Sequence, residues 1–231
     1  MLELDKLHLR WPCYGVRRLT AELQNLGYKV GRKLVKRLMK EMAIEAIYPR
    51  PKTTQKAEGH KIYPYLLRNL KVERPNQVWQ ADITYVPMKR GYMYLIAIID
   101  VYSRYVVEWS ISNTMEAKWC VEAVNAAIHK YGKPEIFNTD QGSQFTSELF
   151  TGNLESNDIK ISMDGKGRAI DNIFIERLWR SVKQENIYLK AYETGLELYK
   201  GLEEYFKDYN YHRVHQSLNY LKPIELYKNA A

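Results

Sequence analysis

The sequence predicts an α/β protein: a mixed five-stranded sheet flanked by helices, preceded by a small all-α module. Three observations predict it. Residues 76–112 hold three runs rich in β-branched and aromatic residues, separated by short gaps. From Met115 onward the apolar spacing becomes helical, and strand-like and helical segments then alternate. Residues 16–43 carry two short amphipathic helical patterns and the densest positive charge.

In chain order, Leu19, Leu23 and Leu26 recur at i, i+4, i+7 and form an apolar stripe that stops at Gly27. The connection G-Y-K-V-G-R has two glycines, suited to a tight turn. A second helix follows, with Leu34, Val35, Leu38, Met39 and Met42 on one face and Arg32, Lys33, Lys36, Arg37 and Lys40 on the other. Helix, short turn and basic amphipathic helix is the layout of a helix-turn-helix, whose second helix can enter the major groove. A helical hairpin with a solvated basic face would give the same pattern. Residues 1–47 are therefore expected to form a helical domain. Residues 48–75, broken by Pro49, Pro51, Gly59, Pro64 and Pro75, are expected to be a basic linker.

The expected strands are Val78 to Val86, residues 92–100 and Tyr105 to Ser112, with K-R-G-Y turning the first into the second. The short gaps favour an antiparallel meander. A helix from Met115 to Tyr131 ends at G-K-P, and Glu135 to Thr139 then returns as a strand, parallel to its neighbour because a helical crossover precedes it. Phe145 to Ser156 reads as helix and Ile159 to Ser162 as a last strand. From Asp171 to about Leu189 the chain is helical, burying Ile175, Leu178, Trp179 and Val182 and placing Asn172, Glu176, Arg180 and Lys183 on another face. The order β-β-β-α-β-α-β-α is that of a ribonuclease-H-like sheet. A core at 76–190 and a helical extension at 191–231, including a helix from Thr194 to Tyr211, complete the expected organisation.

Bulk properties narrow the function. The 231 residues are 45% hydrophobic and 13% aromatic, enough for a packed core. The net charge of +8 is uneven: residues 1–74 hold 17 Lys/Arg against 7 Asp/Glu, and the rest is slightly acidic. This asymmetry suggests a polyanion partner for the first third, although a solvated basic surface would give the same balance. No apolar run is long enough for a membrane span, and the opening M-L-E-L-D-K-L-H-L-R lacks a secretory signal's apolar segment. Cys13 and Cys120 form no C-x-x-C and are expected as free thiols in a reducing cytoplasm.

Three acids stand out. Asp82 lies in W-Q-A-D-I-T-Y on the first strand, Asp140 in N-T-D-Q-G-S-Q-F at a strand end, and Glu176 on a helix, separated from Asp140 by thirty-five residues. Mg²⁺ and Mn²⁺ prefer oxygen ligands, and a pair of such ions roughly 4 Å apart can activate a nucleophile on one side of a phosphorus and steady the leaving oxygen on the other. Asp82 and Asp140 would meet if their strands are neighbours, with Glu176 reaching them from a crossing helix. Gly142 allows a sharp turn and close approach of DNA. Other acids have plainer explanations: Asp100 as a turn cap with Ser103 and Arg104, Asp171 as the cap of the Glu176 helix, and Asp164 as a loop residue beside Lys166 and Arg168, which suit phosphate contact. His212 and His215 are expected to pack or to touch DNA rather than to hold metal.

The combination W-Q-A-D-I-T-Y, N-T-D-Q-G-S-Q-F, Glu176 and Lys183 resembles the catalytic core of bacterial insertion-sequence transposases of the OrfB type, within the retroviral-integrase superfamily of DDE enzymes. The opening W-P-C-Y-G-V-R-R-L-T-A-E-L, the loop S-M-D-G-K-G-R-A-I-D-N and the tail H-R-V-H-Q-S-L also resemble that family. The resemblance implies Asp82, Asp140 and Glu176 as a catalytic triad holding Mg²⁺ or Mn²⁺, as two ions. It implies Lys183 as a contact to terminal DNA, with Arg180, Lys166, Arg168 and the basic helix face as further DNA contacts. The implied activity is hydrolysis at the ends of a mobile element, then attack of the freed 3′-hydroxyl on target DNA, by a homo-oligomer assembled on DNA in the bacterial cytoplasm at the nucleoid. The His/Cys zinc module of retroviral integrases has no matching spacing, so no structural zinc is expected. OrfB-type enzymes usually act fused to an upstream-frame partner with a further helix-turn-helix and a zipper. This chain has no heptad run, so an upstream-frame partner is a possible addition, and whether the chain acts without one is left open by the sequence. A non-catalytic DNA-binding regulator or inactive remnant of a transposase is the alternative reading, and a ribonuclease-H-like nuclease a third.

Overall fold

A computed structural model describes residues 1–47, 61–165 and 172–228. The chain divides into two compact units, Met1–Gln55 and Lys56–Ala231.

The first unit holds three helices, α1 (Leu2–Arg10), α2 (Val16–Asn25) and α3 (Arg32–Glu41). The pattern of α2 and α3 was legible in the sequence, but α1 was not expected. Its Leu4 is buried against Leu19, Leu23, Val35 and Met39, so α1 supplies the third side of a small core. One expected core residue is corrected: Leu26 follows the last turn of α2 and is 55% exposed. The Tyr28 N–H bonds back to the Leu23 carbonyl and Gly27 sits at φ +88, a C-terminal turn that swings the chain away from the stripe. The five cations of α3 are all exposed, opposite its buried face.

The second unit is built on one sheet: β1 (Val78–Pro87), β2 (Tyr92–Asp100), β3 (Val106–Ser112), β4 (Ile136–Thr139) and β5 (Lys160–Met163), in spatial order β3-β2-β1-β4-β5. The β1–β2 and β2–β3 pairs are antiparallel, and β1–β4 and β4–β5 are parallel. The sheet is thus mixed, five-stranded and flanked by helices. Strand alternation splits its side chains between two cores. Trp79, Ile96, Ile98 and Phe137 pack with α4 (Ala117–Tyr131) and α5 (Glu148–Ser156). Val86, Leu95, Ala97 and Ile99 pack with α6 (Ile173–Val182) and α8 (Gly195–Tyr211).

Several boundaries shift for local reasons. The Gly142 carbonyl accepts the N–H groups of Phe145 and Thr146 in a tight turn, so α5 begins only at Glu148, capped by the Ser147 side chain. The long helix expected to Leu189 is interrupted: α6 passes into a π-helical turn, Lys183–Ile187, before the short α7 (Tyr188–Lys190). Within that turn Asn186 is buried, donates to the Gly201 carbonyl and accepts the Tyr192 hydroxyl. Residues 61–75 run along the unit rather than away from it. The Leu66 N–H donates to Ser162 Oγ, the Tyr63 hydroxyl donates to Glu155, and Leu67 and Val72 cover Val78, Val101 and Ile136. Residues 48–60 lie outside the described residues. Among the described residues no helix is long and apolar enough to cross a membrane.

Candidate active site

The parallel β1–β4 ladder ends at Gln80 opposite Asn138. Asp82 and Asp140 are each two residues beyond that last pair, on neighbouring strands and with the same parity as it. The split between the strands therefore carries both carboxylates. Asp82 stays paired with Ala97 of β2, which fixes its backbone. Its Oδ1 accepts the Ile83 N–H at 2.7 Å and its Oδ2 accepts the indole N–H of Trp179 at 2.9 Å. Trp179 sits one turn after Glu176 on α6, so the helix that carries the third acid also grips the first.

Burial pushes the Asp82 carboxyl up to about 6, opposed by the Trp179 bond, raised further by Asp140, opposed again by the Ile83 N–H and raised again by Glu176. Asp82 is thus close enough to Asp140 and to Glu176 to feel the charge of each. Burial raises Asp140 too, and the Gly142 N–H, which donates to its Oδ1 at 2.8 Å, counteracts this. A Cβ at Gly142 would stand 2.9 Å from that oxygen, so glycine is what lets the loop wrap the carboxylate. Glu176 is exposed on its helix.

Among the described residues no three His, Cys, Asp or Glu side chains are gathered into a closed metal cluster. The donor set nonetheless suits a hard divalent cation, since Asp82, Asp140 and Glu176 offer only carboxylate oxygens and their mutual repulsion is what a cation relieves.

Other sequence-based expectations divide. Asp164 lies in the loop directly after β5 but is buried there, and its Oδ1 accepts the Asn138 amide at 2.8 Å. Ser162 donates to Asn138 in turn, so a buried polar bridge ties β4 to β5 just before Asp140. The residue preceding α6 is Asn172, which makes no side-chain cap bond and is buried instead of sharing the exposed face of Glu176. Asp171, Lys166 and Arg168 lie outside the described residues. Arg180 is exposed and Lys183 half-buried, one and two turns along from Glu176. Arg37 of α3 pairs with Glu41 at 3.5 Å. His215 packs edge-on against Tyr209, and burial beside Arg213 pulls its imidazole down to about 4. Trp179 and Asn138 were not singled out from the sequence, although a tryptophan one turn from a candidate glutamate was a usable signal.

A five-stranded mixed sheet with carboxylates at the β1–β4 split and on the crossing helix defines an integrase-type catalytic core. Family matches agree: residues 72–169 and 157–223 each match an integrase core domain, and residues 1–52 match an HTH-like domain. The transposase of insertion sequence IS904 from Lactococcus lactis is 35% identical over 221 residues, covering 93% of this chain and 87% of that protein. Transposase InsF of IS3A from Escherichia coli is 31% identical, covering 91% and 75%. Among solved structures, the HTLV-2 integrase catalytic core in complex with magnesium superposes with a TM-score of 0.55 at 23% identity, covering 67% of this chain and 97% of that one. A simian T-cell lymphotropic virus intasome gives 0.63 at 18% identity, covering 97% and 74%. The chain belongs to the insertion-sequence transposase family with an integrase core.

Proposed function

We propose that this chain is a DNA transposase subunit that cleaves at the ends of a mobile element and joins the freed 3′-hydroxyl to target DNA. The observation that carries the reading is that Asp82 feels the charges of both Asp140 and Glu176, the three acids being brought by a strand, a strand end and a helix. Asp82, Asp140 and Glu176 would hold Mg²⁺ or Mn²⁺, as two ions, which would supply Lewis-acid stabilisation and an activated oxygen nucleophile. In the first reaction water attacks the phosphodiester, and the broken P–O bond leaves a 3′-hydroxyl. In the second that hydroxyl attacks a target phosphodiester and a new strand end leaves. No protein nucleophile is needed in either. Trp179 keeps the Asp82 carboxylate turned and ionised, and the Gly142 N–H does the same for Asp140. Arg180 on α6 and Lys183 at the start of the π turn after it contact terminal DNA, as do Lys166 and Arg168.

Residues 1–47 are the DNA-recognition domain, with Arg32, Lys33, Lys36, Arg37 and Lys40 at the groove and phosphates. Residues 76–190 are the catalytic core and 191–231 its extension. The active form is a homo-oligomer on DNA in the cytoplasm, at the nucleoid, which an upstream-frame partner can join. Incubation with the element's end DNA and Mn²⁺ tests the reading: nicking and joining by the wild type, and their loss in Asp140→Asn and Glu176→Gln, are expected. Activity that survives both substitutions sinks the assignment. The exposed basic face of α3 also supports one second reading, a DNA-binding regulator. End-DNA binding with no metal-dependent chemistry would select it.

A further inference from the structure

The turn after β2 is held by more bonds than a reversal of direction requires. Asp100 is fully buried. Its Oδ1 accepts the Ser103 N–H at 2.8 Å and the Ser103 hydroxyl at 2.6 Å, and its Oδ2 accepts the Asn76 N–H at 2.8 Å. Its backbone N–H donates to the Tyr105 carbonyl, and its carbonyl accepts the Arg104 N–H. This lattice holds Arg104 at φ +63, a left-handed conformation unfavourable for a long side chain. Strain of this kind persists only where the surroundings enforce it, and it concentrates at functional sites.

What the strain achieves is a position. The Arg104 guanidinium lies 3.7 Å over the ring of Phe174, two residues before Glu176 on the same helix. With its face on the phenyl ring, its N–H groups point outward at the edge. Among the described residues Arg104 is in no ion pair. Asp100 is committed to the turn, and Arg177 adds a second positive charge nearby. Arg104 borders a cleft of about 390 Å³ whose walls include Tyr65, Leu70, Gln80, Tyr102 and Phe174. That volume is in the range of small-ligand sites, roughly 300–1,000 Å³. Gln80 precedes Asp82 by two residues on β1, so the cleft and the acids share one strand and one helix. A half-buried cation at the mouth of an aromatic cleft calls for an anionic ligand with a flat apolar part. A nucleotide of the bound DNA is such a ligand.

We propose that this cleft is a nucleotide subsite beside the carboxylates, in which the edge of the Arg104 guanidinium takes a DNA phosphate and the attached base stacks among Tyr65, Leu70 and Tyr102. Guanidinium groups and aromatic rings are the usual partners of an unstacked base. The subsite rests on the DNA reading above and adds one nucleotide position to it.

The test uses the full chain and end DNA carrying a single abasic site, moved one position at a time. For the wild type, one position is expected at which removing the base weakens binding at least fivefold. Arg104→Gln is expected to weaken intact-DNA binding about tenfold and to flatten the salt dependence by about 0.9 log units per log of salt, the share of one phosphate. Tyr102→Ala leaves the Asp100 lattice intact and is expected to abolish the abasic sensitivity with folding unchanged. A flat abasic profile in the wild type overturns the subsite. So does a Tyr102→Ala profile identical to the wild type, even if Arg104→Gln fails to fold. Wild-type protein that binds no end DNA at all overturns the DNA reading itself, a separate result.

Discussion

At the scale of single residues, Asp82 sets function against stability. Its folded-state carboxyl titrates at about 6 against an ordinary 3.8, so the folded protein holds a proton that the unfolded chain has already released between those values. Stability contributed by the neutral form is complete below 3.8 and is lost as pH rises through about 6. Asp82→Asn should therefore stabilise the apoprotein at pH 8, on the order of 1–3 kcal/mol in urea melts, and gain nothing at pH 3.5, while abolishing cleavage. A divalent ion should reverse the balance: Mn²⁺ should raise the melting temperature of the wild type at pH 8 and leave Asp82→Asn unmoved. Trp179→Phe keeps the ring packing and removes only the indole N–H. We expect Mn²⁺ affinity to fall several-fold with thermal stability nearly unchanged, measured by calorimetry and melts. Unaltered Mn²⁺ affinity would reduce Trp179 to a packing residue.

At the scale of elements, the close approach of α8 to the chain after the π turn can be tested. A Cβ at Gly201 would run into the Tyr192 ring, which bonds Asn186 inside that turn. Gly201→Ala should cost about 1–3 kcal/mol from overpacking. Tyr192→Leu should recover part of that loss, read from paired denaturant curves. These features also explain what the sequence did and did not disclose. The runs of β1 and β2 were legible because strands buried on both faces are rich in apolar, β-branched and aromatic residues, and the stripe of α4 because that helix buries one face with a clean period. The π turn was not, because its cause is a buried Asn186 bonded to a carbonyl on a helix fifteen residues away. α1 escaped because its mean composition is polar and a single residue, Leu4, is fully buried. Likewise Asp140 and Glu176 stood out by spacing and flanks, whereas the buried role of Asp164 follows from β5 lying beside β4, which no local pattern states.

At the scale of the whole molecule, charge is segregated by unit. The basic face of α3 belongs to the first unit, and the carboxylates to the second. Lys33→Glu with Lys36→Glu should weaken binding to any DNA sequence. It should also lower the slope of log affinity against log salt by roughly 0.9 for each phosphate no longer neutralised. Cleavage of bound DNA per encounter should be preserved, which single-turnover assays at saturating protein would report. A matching loss of the chemical step would place these lysines in the catalytic assembly instead.

The two cysteines are divided between the same units. Cys13 is exposed in the first unit, whereas Cys120 is buried in α4, where desolvation pushes its thiol up to about 12. A maleimide dye at neutral pH should consume one equivalent quickly and a second only on unfolding, because the thiolate is the reacting species. The native chain thus carries a ready-made single attachment point on its helical module. A fluorophore there, paired with one on the DNA, would allow that module's arrival on the DNA to be timed independently of strand cutting.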